Sequence, residues 1–207
     1  MEKPIPAQGI DPSKAPVPAR TLIRRIGITP VLPGLEQLVL QCAPNVAPST
    51  MMAVIRVESG GNPLALNVNG KQRLARQPAS RQEAVAWASW LVGKGYSVDI
   101  GLAQVNSAHL ARFNASVDQL LDPCTNLSAG ARILSENYAD AARRYGLGQV
   151  ALRAAISAYN TGNHRDGFRN GYVGKVVAAA GVPPLTAATT AKPAALGEPL
   201  VYWVKRP

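Results

Sequence analysis

Little in this sequence is aromatic, and little is acidic. Aromatic residues make up 5% of its 207 positions, and 12 acidic side chains face 22 lysines and arginines. There are two histidines, His109 and His164, far apart in the chain. No ligand-spaced cluster surrounds either, so no metal and no cofactor is expected, and His109 reads as a surface or packing residue. Neither a P-loop nor a GxGxxG stretch is present, which removes the usual nucleotide cradles. No run approaches the roughly 18 consecutive apolar residues of a membrane-spanning helix, so no transmembrane segment is expected. Nor is there an internal repeat. The opening stretch, "MEKPIPAQGIDPSKAPVPARTLIRRIG", has no apolar h-region and is not a secretory signal. Three readings stay open there: a signal missing from this numbering, a start placed downstream of one, or a chain that stays in the cytoplasm.

What is present is the composition of a globular chain, 47% hydrophobic and 16% charged. The length suits one ordinary domain plus tails. A formal charge of +10 and a pI of about 10.1 favour polyanionic surroundings: nucleic acid, acidic lipid head groups or a wall polymer carrying carboxylates. The cations are dispersed, Arg24-Arg25 and Arg143-Arg144 being the densest groups. They read as a basic, solvated surface, and no nucleic-acid partner is expected.

Prolines 4, 6, 12, 16, 18, 30 and 33 punctuate an unpatterned start, read as an extended arm over 1–33. "GLEQLVLQCAP" predicts a short helix stopped by Pro44. A further helix is expected to lead into Glu58, with Ser49 as its N-cap. "SRQEAVAWASWLVGKG" opens with a capping box of Ser80 and Glu83 and carries Val85, Trp87, Ala88, Leu91 and Val92 at helical spacing. Short helices are predicted over 106–114 and 116–123, and longer ones over 126–146 and 148–162, the last clear helix. The first of the longer pair carries Leu127, Ala131, Leu134, Tyr138 and Ala141 on one face. Between 62 and 79 the helical period fails, and Asn69-Gly70 signals a small hairpin. Residues 178–207 read as an Ala/Pro-rich tail. The domain expected between arm and tail is 34–177, mostly helical, α+β, with one small β element.

Three stretches carry candidate chemistry. In "MMAVIRVESGGNP", Met51, Val54, Ile55 and Glu58 share one helical face, so an acid falls on the side that should be packed. Apolar neighbours and the negative end of the helix dipole both favour the protonated carboxyl. A carboxylic acid still protonated near neutral pH is what general-acid cleavage of a glycoside needs. The alternative is a glutamate turned into solvent at a frayed helix end. "DIGLAQVN" sets the amides of Gln104 and Asn106 in an apolar stretch, and "AISAYNTG" puts Tyr159 and Asn160 at the end of another helix. Taken singly, these read as a turn and as core.

In this order the three stretches resemble the lytic transglycosylases related to goose-type lysozyme. Within them the chain is similar to the small enzymes that accompany type IV secretion and conjugation systems. The resemblance covers about 35–177 and rests on "VESGGNP", "GLAQVN" and "AYNTG", with "EAVAWASWLVGKGYSVDIGLAQVN" especially like the secretion-associated subgroup. One departure is Ala103, where the family usually has methionine; it bears only on packing at that spot.

The resemblance implies a lysozyme-like fold and peptidoglycan as substrate, cut between N-acetylmuramic acid and N-acetylglucosamine. It implies Glu58 as the catalytic acid, Ser59 orienting it, Gln104 and Asn106 binding sugar amides and hydroxyls, Tyr159 lining the cleft and Asn160 holding the loop. The product would be a 1,6-anhydro end. Asp99, the one further acid beside a motif, reads either as exposed at a turn or as a second carboxylate that would make the enzyme a hydrolase. A non-catalytic adaptor that binds glycan or recruits secretion-system subunits, or a DNA-binding protein, is the reading from another class. The expected partners are glycan strands and secretion-system subunits, with the protein acting as a monomer. A substrate outside the cytoplasmic membrane implies the periplasm, an oxidising compartment. There Cys42 and Cys124, each beside a proline at an element boundary, are expected to pair across a loop of about 80 residues, worth roughly 4–5 kcal/mol. Two reduced, buried thiols are the alternative for a cytoplasmic chain, and Cys42 has no paired histidine that would make it a nucleophile.

Overall fold

The structure, a computed structural model, describes residues 34–181. The arm expected over 1–33 lies outside the described residues, as does the tail from residue 182.

Two short helices open the fold, α1 (Leu35–Cys42) and α2 (Pro48–Glu58). Strand β1 (Leu66–Val68), helix α3 (Arg81–Gly93) and strands β2 (Val98–Ile100) and β3 (Val105–Asn106) follow. A 3₁₀ turn over Ser107–His109 leads into α4 (Leu110–Phe113) and α5 (Val117–Leu120). The chain then forms α6 (Pro123–Tyr145), α7 (Gln149–Thr161), α8 (Asp166–Arg169) and α9 (Tyr172–Ala179). The expected mostly helical α+β class is therefore what is found: a helical body carrying one small antiparallel sheet.

Helix α6 organises the body. Its apolar face, Leu127, Ala131, Leu134, Tyr138 and Ala141, is buried as the periodicity predicts, against α1 on one side and α7 on the other. Helix α2 buries Met51, Val54 and Ile55, packs against α9 and is tied to it through Arg56, whose Nη1 donates to Ala179 O at 3.0 Å. That contact places a cation at the C-terminal, negative end of the α9 dipole. A disulfide joins Cys42, the last residue of α1, to Cys124 in the first turn of α6, with the Cα atoms 5.2 Å apart.

Four local expectations differ from the structure. Helix α2 begins one residue before Ser49, with Pro48 in its first turn and Ala47 as the N-cap, whose side chain makes no capping bond. Proline's fixed φ suits that position, and the backbone N–H groups of Thr50 and Met51 are satisfied by Ala47 O instead of a hydroxyl. Pro123 likewise starts a helix instead of ending one: Asp122 caps α6 by accepting from Thr125 N at 2.9 Å. Asn69-Gly70 does not close a hairpin. Strand β1 pairs with β2 across the whole of α3, in the register Leu66–Ile100, Asn67–Asp99 and Val68–Val98. The hairpin is instead β2–β3, with Asp99 opposite Asn106, inside the stretch read as a turn. Finally, α8 and α9 follow the helix taken as the last clear one, and α9 makes the first two residues of the expected tail helical.

Candidate active site

Glu58 is the last residue of α2, and the chain leaves the helix through Ser59 and two glycines with positive φ, Gly60 (62°) and Gly61 (84°). Such conformations are cheap only without a Cβ, so "SGG" stops the helix with the carboxyl at the edge of the packed face. There the side chain is half-buried and opens on a cleft of about 610 Å³ between the helical body and the sheet. Burial pushes the Glu58 carboxyl up to about 7. A hydrogen bond from Tyr172 works in the opposite direction, and the negative charge of Asp99 adds to the rise. The Tyr172 hydroxyl donates to Glu58 Oε1.

Ser59 does not orient Glu58 directly, as was expected. Its single hydroxyl proton is directed to Leu102 O at 2.7 Å, with Ile55 O further off at 3.2 Å, and its oxygen accepts from Gly61 N. Ser59 thus fastens the end of α2 to the β2–β3 turn, and the hydrogen bond to the acid comes from Tyr172. Sequence reasoning missed Tyr172. It starts a short helix among valines, where a tyrosine reads as core, and its own burial together with the Glu58 charge pushes its phenol far above the usual range.

The sheet supplies the other wall. Asn67, Asp99 and Asn106 are neighbours across three strands and all line the cleft. Asp99 therefore sits on a strand rather than at a turn. It accepts from Asn106 Nδ2 at 2.6 Å on one oxygen and from Asn67 and Asn69 Nδ2 at 3.2 and 3.0 Å on the other. Asn106 also caps the following 3₁₀ turn through Ala108 N. Gln104 lines the cleft in a left-handed conformation, φ 46°, with its amide donating to Ala65 O and Gly101 O.

Beneath this turn lies Asn126 of α6, buried, donating to Ile100 O and Leu120 O and accepting from Ala103 N. Gly101 leaves room for it: a Cβ there would lie 2.5 Å from Asn126 Nδ2. The Ala103 methyl, in turn, packs where a Cβ on Gly130 would come within 2.6 Å of it.

From the helical side Tyr159 reaches the cleft and donates to Ala103 O at 2.7 Å, linking α7 to the same turn. Burial pushes its phenol well up, and the Glu58 charge adds to this. Asn160 lines the cleft mouth and accepts from Asn170 Nδ2 at 2.9 Å, on the segment that leads into α9. His109 also lines the cleft, its ring tilted by 40° against that of Phe113 with the centroids 5.7 Å apart, while His164 lies away from it beside Asp140 and Tyr145. Among the described residues no group of three His, Cys, Asp or Glu is placed to hold a metal ion, and no helix is long and apolar enough to cross a membrane. The arrangement is thus one proton-bearing carboxyl near neutrality, held by a phenol, facing amide-lined space across which one further carboxylate is tied down by three amides.

Residues 39–179 match the family described as the transglycosylase SLT domain. The chain is 46% identical over 151 residues to the type IV secretion system protein virB1 of Brucella abortus biovar 1 (strain 9-941), covering 70% of this chain and 63% of that protein. It is 42% identical over 149 residues to protein virB1 of Agrobacterium fabrum (strain C58 / ATCC 33970), covering 71% and 60%. Against protein virB1 of Rhizobium radiobacter the identity is 39% over 145 residues, covering 70% and 60%. The matched part thus spans less than two thirds of the length of these relatives. No solved structure matches the chain.

Proposed function

The chain belongs to the transglycosylase SLT domain family, and from that premise we propose that it is a peptidoglycan lytic transglycosylase. Glu58 is the acid of the reaction. The observation that carries the reading is its placement: half-buried at a helix end, open to the cleft, and pushed up to about 7. Near neutral pH such a carboxyl can both give and take a proton.

The steps follow from a single carboxyl. Glu58 donates its proton to the glycosidic oxygen between N-acetylmuramic acid and N-acetylglucosamine as the C1–O bond breaks. Positive charge develops at C1, as in other glycoside cleavages. The resulting carboxylate then takes the proton of the muramic acid C6 hydroxyl, whose oxygen closes on C1. The acid is regenerated, a 1,6-anhydro end is left and no water is consumed. Tyr172 holds one carboxyl oxygen and leaves the other for the substrate. Gln104, Asn106 and Asn160 meet the sugar hydroxyls and acetamido groups, while Tyr159 and Ser59 keep the β2–β3 turn against the catalytic helix.

Asp99 favours a second reading, since it lines the same cleft and could direct a water to C1 as a hydrolase does. Its oxygens are engaged by three amide N–H groups, which occupy most of the lone pairs a base would offer to water. The single-acid scheme is therefore preferred.

The names of the relatives extend the proposal to context. The enzyme opens the wall locally for a secretion or conjugation apparatus, works in the periplasm, and meets glycan strands and subunits of that apparatus. Residues 34–177 serve as its catalytic domain. The test is clearing of purified peptidoglycan suspensions by wild type and by Glu58→Gln. The variant should fold and lose at least about a hundredfold in rate, and retained clearing would sink the assignment.

A further inference from the structure

The loop 69–77 forms the rim of the cleft on the sheet side, and its two stem residues, Asn69 and Gln77, line the cleft. It is pinned in three places. Gln77 exchanges two hydrogen bonds with the backbone of Leu66, at 2.9 and 3.0 Å. Arg76 pairs with Glu83 and lies over the ring of Trp87, 4.6 Å from its centroid. Leu74 packs against the core. Ahead of these pins, between Asn69 and Leu74, stand Lys71 and Arg73, both exposed.

Several arginines elsewhere in the fold have carboxylate partners: Arg81 with Asp118, Arg132 with Glu136, Arg143 with Asp140 and Arg169 with Asp166. Among the described residues Lys71 and Arg73 meet none. Arg73 spends one nitrogen, Nη1, on Gly70 O and Gln72 O, which holds the guanidinium on the loop and leaves Nε and Nη2 unspent. The cleft wall beside them is built of amides, Asn67, Asn69 and Asn106, groups suited to neutral hydroxyls and acetamido groups. Two unneutralised cations, Arg73 held on the loop and Lys71 two residues away, on a loop whose stems line such a wall suit an anionic substituent of an otherwise neutral polymer.

In peptidoglycan the anionic substituents are the stem peptides, which hang from the muramic acid lactyl groups and carry free carboxylates. We propose that Lys71 and Arg73 bind stem-peptide carboxylates and make the enzyme prefer peptide-bearing glycan strands to bare ones. This rests on the transglycosylase reading above. The contact lies outside the reacting bond, so it acts on KM and leaves kcat on bare strands unchanged.

The test compares soluble glycan strands with their stem peptides intact and the same strands stripped by an amidase. Wild type and the Lys71→Ser/Arg73→Ser double variant are assayed as full chains at low and at high salt. Two exposed charge contacts should give wild type about a three- to tenfold lower KM on peptide-bearing strands, shrinking as salt screens them. The double variant should show one KM for both substrates and the wild-type kcat on bare strands. A charge-reversing pair, Lys71→Glu/Arg73→Glu, should invert the preference. A preference surviving in the double variant, or absent from wild type while bare strands are still cleaved, would overturn the inference and leave the enzyme assignment standing. Failure of wild type to cleave either substrate would overturn both.

Discussion

At the scale of single residues, the role proposed for Glu58 sets function against stability. Its carboxyl binds a proton more tightly in the folded chain than in the unfolded one. Its contribution to stability is therefore full below about pH 4.5 and is lost as pH rises through about 7. Glu58→Gln should accordingly be more stable than wild type at pH 8, by about 3 kcal/mol at most, with the difference closing toward pH 5. Urea melts at the two pH values measure this, and a variant no more stable at pH 8 would mean that the carboxyl is not held against ionisation. Activity, which needs the protonated form, should fall as pH rises through about 7. Tyr172→Phe removes the hydrogen bond that favours the carboxylate, so this alkaline limb should move to higher pH, while kcat drops about tenfold because the acid is less well oriented. An unmoved limb in the pH–rate profile would show that Tyr172 only packs. The place of Glu58 on the packed face of a helix was legible in the sequence, although periodicity alone left open a side chain turned into solvent, and the role proposed for it came from the family resemblance. Its partner was not legible, because the contact joins residues 114 positions apart, and Tyr172 among valines carries no polar pattern of its own.

At the scale of elements, the β2–β3 turn is the part on which the cleft depends. Ser59, Tyr159 and Asn126 all bond to it, from α2, α7 and α6. Asn126→Ala would remove its side-chain bonds to the carbonyls of Ile100 and Leu120 and to the N–H of Ala103 in a buried setting. A loss of about 3 kcal/mol or more is expected in chemical denaturation, at roughly 1–3 kcal/mol for each buried unsatisfied group. A loss below about 1 kcal/mol would mean the turn is held by other contacts. Helix periodicity revealed the buried faces of α6 and α2 because each repeats within its own element. Sheet pairing was misassigned because β1 and β2 meet over about thirty residues with a helix between them. The local Asn69-Gly70 signal had nothing nearby to pair with, while the true hairpin turn is set by Gly101 fitting against a side chain from another element. Pro123 shows a related limit: a proline placed at the end of one helix is, at the first position of the next, a start.

At the scale of the whole molecule, the Cys42–Cys124 disulfide ties α1, the helix preceding the one that ends in Glu58, to α6, over a sequence separation of 82. In the chain-entropy view a loop of that size contributes about 4–5 kcal/mol. Reductant, or a Cys42→Ser/Cys124→Ser double variant, should lower the melting temperature by about 10 °C or more. Protein taken from an oxidising compartment and denatured without reductant should titrate no free thiol. Two thiols per chain would remove the bridge, though not the enzyme. The pairing was read from cysteines at element boundaries together with the compartment the substrate implies. The shape of the cleft could not be read in that way, because it depends on how the sheet and helices meet. The central claim is that one carboxyl, Glu58, does the work of both acid and base. It is tested most directly by the mass of the muropeptides that wild-type protein releases from purified peptidoglycan: this account predicts 1,6-anhydro ends, one water lighter than hydrolysis products, and a digest dominated by reducing ends would contradict it.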